Sequence, residues 1–242
     1  RSSDLAVIWG PPESTGVEYK PNWEIGSLLP FLPCSSIMVT GATGSGKTYW
    51  TYNLLKNLDS MYQDNPPRQV LYCYGLWQPL YEEMEQTVPN LVMHEGLPTR
   101  EELDHFTADR IHKLIILDDL AQKVIQNPQM ELLFIQGCHH SCLTVIFINQ
   151  NLFQEGKGSR TIALNTWYYV LMKNVRDVSQ ISHLGRQVYP GKANMLVEVY
   201  KECMKNDFGY LVLDVSPKGQ DKYRMRTRIF PGEDPIVFVP KP

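Results

Sequence analysis

No stretch of this chain approaches the roughly 20 consecutive apolar residues that cross a bilayer, and no charged-then-apolar leader opens it. Membrane insertion is therefore not expected, and the cysteine usage favours an intracellular setting, cytosol or nucleus. Cysteine is scarce: Cys34, Cys73, Cys138, Cys142 and Cys203 are odd in number and scattered, mostly within apolar runs. That usage excludes a disulfide framework and points to reduced packing residues. Around Cys138-His139-His140-Ser141-Cys142 no second ligand pair stands at a zinc-binding distance, and so short a span wraps a tetrahedral ion poorly. A tight turn leading into a strand is the expectation there, with a metal as the alternative. Positive charge is not in excess either. The net charge of −3 excludes a protein whose bulk charge binds nucleic acid, so any such contact must be local. Low-complexity segments, blocks of like charge and an internal linker are all missing. With 242 residues, 43% hydrophobic and 20% charged, the chain suits one large α/β domain with a well-formed core.

Against those absences stands Gly41-Ala42-Thr43-Gly44-Ser45-Gly46-Lys47-Thr48, which fits the phosphate-loop pattern at every fixed position. The run before it, Ser36-Ile37-Met38-Val39-Thr40, reads as a buried strand, and a helix is expected from Lys47 to about Leu58. Glycines let the backbone wrap a phosphate closely, so that N–H groups and the positive end of the helix meet negative charge. Lys47 then reaches the β- and γ-phosphates, Thr48 offers its hydroxyl to Mg²⁺, and Tyr49 follows on the first helical turn.

Along the chain, residues 1–33 are rich in Pro and Gly, include Trp9 and Trp23, and read as an extended arm; the phosphate-loop domain is then 34–242. Strands are expected over 69–74 and 90–94, and a helix over 78–86 with Pro79 in its first turn. A further helix opens at Thr99 with a capping-box pattern closed by Glu102. Lys113-Leu114-Ile115-Ile116-Leu117 leads into Asp118-Asp119. A central strand would carry this pair to the carboxyl edge of a parallel sheet, where ligands of open α/β sheets sit. Asp118 would hold Mg²⁺ and Asp119 would polarise the attacking water. The bland alternative is a strand stopping at an Asp-Asp turn. Many hydrolases of this type carry Glu at the second position, so the shorter Asp119 calls for a different water position.

A strand over Leu143-Thr144-Val145-Ile146-Phe147-Ile148 ends in Asn149-Gln150-Asn151. Amides at the tip of a strand beside Asp118 are placed to sense a γ-phosphate, which makes Asn149 and Gln150 candidates, with turn capping as the alternative. The guanine-reading Asn-Lys-x-Asp of small GTPases is absent here. From Lys157 to Lys192, six basic residues (Lys157, Arg160, Lys173, Arg176, Arg186, Lys192) face one acid, Asp177. Solvated helix faces produce such runs; an arginine offered to a neighbouring subunit's phosphate, or contacts to a nucleic-acid backbone, would do so too. Trp167, Tyr168 and Tyr169 sit in an apolar run and read as core. Arg224, Arg226 and Arg228 alternate, so a strand there would set all three on one face, either wet or touching phosphate or a neighbour.

Taken in order, the phosphate loop, Tyr72-Cys73-Tyr74 with Gln78-Pro79-Leu80-Tyr81, Leu117-Asp118-Asp119-Leu120, and Gly137-Cys138-His139-His140 resemble a known pattern. Asn149-Gln150-Asn151-Leu152-Phe153, Arg160-Thr161-Ile162-Ala163-Leu164-Asn165, Lys173-Asn174-Val175-Arg176-Asp177 and Arg226-Thr227-Arg228-Ile229-Phe230-Pro231 extend it. Over residues 35–235 the chain resembles the poxvirus-type genome-packaging ATPases of large DNA viruses and Polinton/Maverick elements, a branch of the FtsK/HerA superfamily. The resemblance implies a RecA/FtsK/HerA-like phosphate-loop NTPase, with a mostly parallel central sheet flanked by helices. It further implies ATP and Mg²⁺ as cofactors and a homo-oligomeric ring of five or six subunits that pulls double-stranded DNA through its centre, often into a capsid. Portal or vertex proteins of the capsid are the implied further partners, and a virus factory in host cytoplasm or nucleus, or the virion, is the implied location. An arginine acting across the subunit boundary is implied as well, Arg160 first by position, then Arg176 and Arg186. Two other functions fit the nucleotide motifs: a helicase or recombination ATPase, and a nucleotide-gated ring scaffold with little turnover.

Overall fold

The structure, a computed structural model, describes residues 5–9, 31–62, 64–137, 141–176 and 178–240. Ten strands form one sheet: β1 (Leu5–Trp9), β2 (Ser36–Thr40), β3 (Val70–Tyr74), β4 (Leu91–Glu95), β5 (Lys113–Asp118), β6 (Leu143–Asn149), β7 (Tyr168–Met172), β8 (Tyr210–Asp214), β9 (Met225–Thr227) and β10 (Ile236–Pro240). Their order across the sheet is β1-β10-β9-β8-β7-β2-β6-β5-β3-β4. From β4 to β7 every pairing is parallel; from β7 to β1 every pairing is antiparallel. Helices lie on both faces, and the fold is the α/β architecture of a phosphate-loop NTPase.

Alternation along the central strands builds the two faces. Met38, Leu71, Ile115, Leu117, Val145 and Phe147 point to one side, where they meet Leu103, Val124, Phe134, Ile162 and Leu196 from helices. Ile37, Val39, Val70, Ile116, Ile146 and Val170 point to the other, against Trp50, Leu54, Leu55, Tyr81 and Met84. Both sides of β2, β5, β6 and β7 are fully buried, as parallel strands covered by helices require. Trp167 packs against this core and Tyr168 and Tyr169 lie within it. Removing a buried side chain such as Ile116 would cost about 2–5 kcal/mol.

The expected helices form with small shifts. The first runs Lys47–Lys56, and a short turn of helix, Leu58–Met61, follows a break at Asn57. The next is Pro79–Thr87 with proline at its first position, where the missing N–H costs nothing. Thr99 caps Arg100–Thr107, its hydroxyl accepting from the Glu102 amide while the Glu102 carboxylate accepts from the Thr99 amide. Of the arm expected over 1–33, Leu5–Trp9 is β1 at the sheet edge, Phe31 is buried against Tyr168 and Trp50, and the Leu32 amide donates to the Tyr168 hydroxyl; residues 1–4 and 10–30, with Trp23, lie outside the described residues. So does most of the turn expected at Cys138-His139-His140. Cys73 and Cys203 are buried thiols pushed up to about 12 by loss of water, consistent with inert packing.

One expectation is overturned. The strand β9 covers only Met225–Thr227, and its central Arg226 is 1% exposed, paired with Asp214 at 3.4 Å. Arg224 bonds Asp221 and the Asp214 carbonyl instead, and Arg228 turns off the strand with φ 54°. The three arginines therefore share no wet face, because a buried carboxylate on the neighbouring strand claims the middle one. Among the described residues no helix is long and apolar enough to cross a membrane.

Candidate functional site

The phosphate loop leaves β2 at the carboxyl edge of the parallel strands. Its start is fixed from both neighbours, since Gly41 N–H donates to the Asn149 carbonyl (3.4 Å) and Ala42 N–H to the Lys173 carbonyl (3.1 Å). Gly41 must lack a side chain: a Cβ there would lie 2.7 Å from Ser45 Oγ and 2.8 Å from Met172 Cβ. Gly46, at φ 92°, adopts the left-handed turn that starts the helix. No side chain caps that helix and its first turn carries no acid, so its leading N–H groups and positive end face the loop unmatched.

Lys47 folds back over the loop, its Nζ donating to the carbonyls of Gly41 (2.8 Å) and Ala42 (2.9 Å). Loss of water lowers the pKa of this ammonium, and the Asp118 and Asp119 carboxylates oppose that shift. Thr48 Oγ1 donates to Asp118 Oδ2 at 3.3 Å, which joins the end of the phosphate loop to the end of β5.

Asp118 is 4% exposed. Besides Thr48, its Oδ2 accepts from the hydroxyls of Tyr72 (2.7 Å) and Tyr81 (3.0 Å). Burial raises the pKa of this carboxyl, and the hydroxyls of Tyr72, Tyr81 and Thr48 pull it back down. Tyr81 is braced in turn by the rings of Tyr72, Tyr74 and Trp77, with centroids 5.1, 5.4 and 5.6 Å away. Asp119 next to it is exposed and sits in the left-handed region at φ 56°, a conformation that Asp tolerates better than most side chains. Gly75 makes that turn possible, since a Cβ on it would come within 2.4 Å of the Asp119 carbonyl oxygen.

The sheet order places β6 between β2 and β5, so the polar tip at Asn149 falls between the phosphate loop and Asp118. The two amides there differ. Asn149 is buried and committed to the turn: its Nδ2 donates to the Asn151 carbonyl, and its Oδ1 accepts from Gln154 Nε2 (2.7 Å) and the Asn151 amide. Gln150 is exposed on the wall of the cleft.

A cleft of about 700 Å³ gathers Thr43, Gly44, Gly46, Lys47, Thr48, Tyr49, Asp118, Asp119, Asn149 and Gln150. Gly41, Ala42 and Ser45 shape the loop without lining it. Arg160 and Arg176 stay outside; both are exposed, and their guanidinium groups make no ion pair among the described residues. Arg160 rides the helix Lys157–Leu164, which touches the helix after Asp119 so closely that a Cβ on Gly158 would lie 2.3 Å from the Ile125 carbonyl oxygen. Sequence reasoning did not assign Gln78, Gln122 and Gln154 to the cleft, nor the tyrosine hydroxyls to Asp118. The signal for the tyrosines was present: Tyr72 in a buried strand needs a partner for its OH, and the strand beside it ends in an acid.

A divalent cation fits this donor set in one manner only. Among the described residues no group of three or more His, Cys, Asp or Glu gathers to cage a metal, whereas one carboxylate and one hydroxyl, Asp118 and Thr48, stand together. Mg²⁺ is commonly held by one or two protein oxygens plus substrate phosphates, and the arrangement suits that use.

Protein-family profiles and curated proteins give no match to this chain. Among solved structures it is similar to EssC (ATPases 2 and 3) from Geobacillus thermodenitrificans, at 14% identity over 86% of this chain and 40% of that one, with a TM-score of 0.48. It is similar also to the cytoplasmic domain of EssC, at 17% identity over 79% of this chain and 42% of that one, with a TM-score of 0.47. The chain thus spans about two fifths of the length of those structures. Likeness at this level assigns no activity, and function has to be read from the site.

Proposed function

We propose that this chain is a Mg²⁺-dependent ATPase motor that translocates double-stranded DNA, packaging a viral or virus-like genome into a capsid, as a member of the poxvirus-type branch of the FtsK/HerA superfamily. The observation that carries the nucleotide part is the convergence of Lys47, Thr48 and Asp118 at one sheet edge, with the polar tip of β6 between them. The DNA and capsid part is supported by the ordered motifs of the sequence, and by the exposed basic residues Arg160 and Arg176.

In this reading Lys47 exchanges its two loop carbonyls for the β- and γ-phosphate oxygens and neutralises their charge. Thr48 and Asp118 would hold Mg²⁺, which supplies charge stabilisation of the transferring phosphoryl group. Tyr72 and Tyr81 favour the ionised form of Asp118 against the effect of burial and fix its orientation. Asp119 accepts the proton of the attacking water and Gln150 orients it. Arg160 of an adjacent subunit completes the site within a ring of five or six, with Arg176 as second choice.

Steady-state ATP hydrolysis across protein concentrations, with and without double-stranded DNA, tests the reading. Specific activity should rise with protein concentration and rise again with duplex DNA. Flat, DNA-indifferent activity would favour the ring-scaffold reading, in which assembly rather than transport follows nucleotide binding. Unwinding of a forked duplex without transport along it would favour a helicase.

A further inference from the structure

Phe208 has a setting that packing does not explain. Its side chain is 68% exposed although it is a large apolar ring, and its backbone lies at φ 56°, a region that bulky residues rarely enter. The ring nevertheless rests on the phosphate loop, since a Cβ on Gly46 would come 2.9 Å from Phe208 Cδ1. The turn that presents it has no latitude. Gly209 donates its N–H to the Asn206 carbonyl at 3.1 Å, and a Cβ there would lie 2.0 Å from the Cys203 carbonyl oxygen. An outlier held this firmly, with its side chain left in water, is the kind of strain that functional positions retain.

Topology indicates what the ring would meet. Because β8 runs antiparallel to β7 with Tyr210 opposite Met172, the residues just before β8 sit at the sheet edge from which the phosphate loop departs. Across the sheet, Asp118 on β5 lies two strands to one side of β2 and β8 lies two strands to the other. A nucleotide with its terminal phosphate at Lys47, Thr48 and Asp118 directs its sugar and base away from β5, toward the β7–β8 side.

We propose that Phe208 is the platform on which the nucleotide base stacks, an inference that rests on the nucleotide-site reading above. The ligand class is a nucleoside di- or triphosphate. A stacking face accepts any base, because each has a π-surface, and the larger overlap of a purine sets the preference. Tyr49 is the other exposed aromatic beside the loop, but its ring stands edge-on to Tyr52 at 6.4 Å on the helix, and Lys56 lies 6.0 Å from its centroid.

Calorimetric titration of the full chain with ATP, ADP and inorganic tripolyphosphate distinguishes base from phosphate. Phe208→Ala should weaken ATP and ADP binding by roughly 5- to 150-fold and leave tripolyphosphate binding unchanged. Phe208→Tyr should restore affinity, and Phe208→Leu should fall short of it. In Phe208→Trp, ATP should change the indole emission and tripolyphosphate should not. Equal ATP affinity for wild type and Phe208→Ala, an equal loss for tripolyphosphate, or a base-dependent loss in Tyr49→Ala alone would overturn the platform while leaving the nucleotide site standing. A wild-type chain that binds neither ATP nor tripolyphosphate would overturn both.

Discussion

Two buried carboxylates end two strands of the same sheet, and they are treated in opposite ways. Asp214, at the end of β8, meets the guanidinium of Arg226 at 3.4 Å, takes the Ser216 amide on its other oxygen, and has Tyr168 near the same arginine at 5.9 Å. Asp118, at the end of β5, meets three hydroxyls and, among the described residues, no cation within ion-pairing distance. Burying an ion is costly unless its charge is matched. The first site is internally neutral and structural. The second is held in shape by neutral donors and has no charged partner among the described residues. Under the proposed function, that difference separates a carboxylate that holds the fold from one that would serve a ligand, although both read alike as an acid after an apolar run.

The largest test removes the cation of the structural pair. Arg226→Met should cost about 3–5 kcal/mol in urea unfolding, because Asp214 then stays buried without a counter-charge. Replacing both, as Asp214→Leu with Arg226→Met, should recover most of that loss. A single variant as stable as wild type would mean that the two sites do not differ in the way described. Lys47→Ala should reduce steady-state ATP hydrolysis by about 10²–10³-fold while thermal unfolding stays near wild type; appreciable turnover would remove Lys47 from the chemistry.

Smaller effects are expected at the hydroxyls. Tyr72→Phe and Tyr81→Phe should each lower kcat/KM by about tenfold, the loss of one hydrogen bond to a charged group. Each hydroxyl lowers the Asp118 pKa against the effect of burial, so removing one raises it and should move the acid limb of the pH–rate profile upward. A limb that stays in place would show that the hydroxyls brace the fold and nothing more. The smallest effect concerns stability without nucleotide or metal. Since burial raises the folded-state pKa of Asp118, the folded chain binds the proton more tightly than the unfolded chain. Stability therefore declines as pH climbs from the unfolded value of about 3.9 through the folded one. Asp118→Asn should be more stable than wild type at neutral pH, with the gain vanishing in acid. A constant offset across pH would mean that ionisation of Asp118 does not carry the cost.

The parallel half was legible in the sequence because its central strands are short apolar runs, most of them punctuated by a motif. The ends of β2, β5 and β6 are where the candidate site gathers, so Lys47, Thr48, Asp118 and Asn149 announce both the strand and the site. The antiparallel half gave no such marks. Arg226 looked wet because alternating arginines suggest a solvated face, and its partner Asp214 stands 12 residues upstream on a neighbouring strand, beyond any local periodicity. Tyr72 and Tyr81 were visible as letters of a motif, but their shared acceptor became apparent only when β3 and the helix Pro79–Thr87 were folded over β5. Asn149 and Gln150 were paired by adjacency, but Asn149 ends β6 with its amide bonded into the turn, whereas Gln150, just past the strand, is exposed on the cleft wall.

Lys47, bonded to Gly41 and Ala42, has a kinetic consequence. The loop is complete on its own, with the lysine occupying two acceptors that a phosphate would replace. Under the proposed function, arrival of a nucleotide would therefore be a partner exchange at a preformed cradle rather than the ordering of a slack segment. The same exchange run backwards gives departing product a competitor already tethered to the site. Turnover can then proceed without the cradle melting and rebuilding in each cycle.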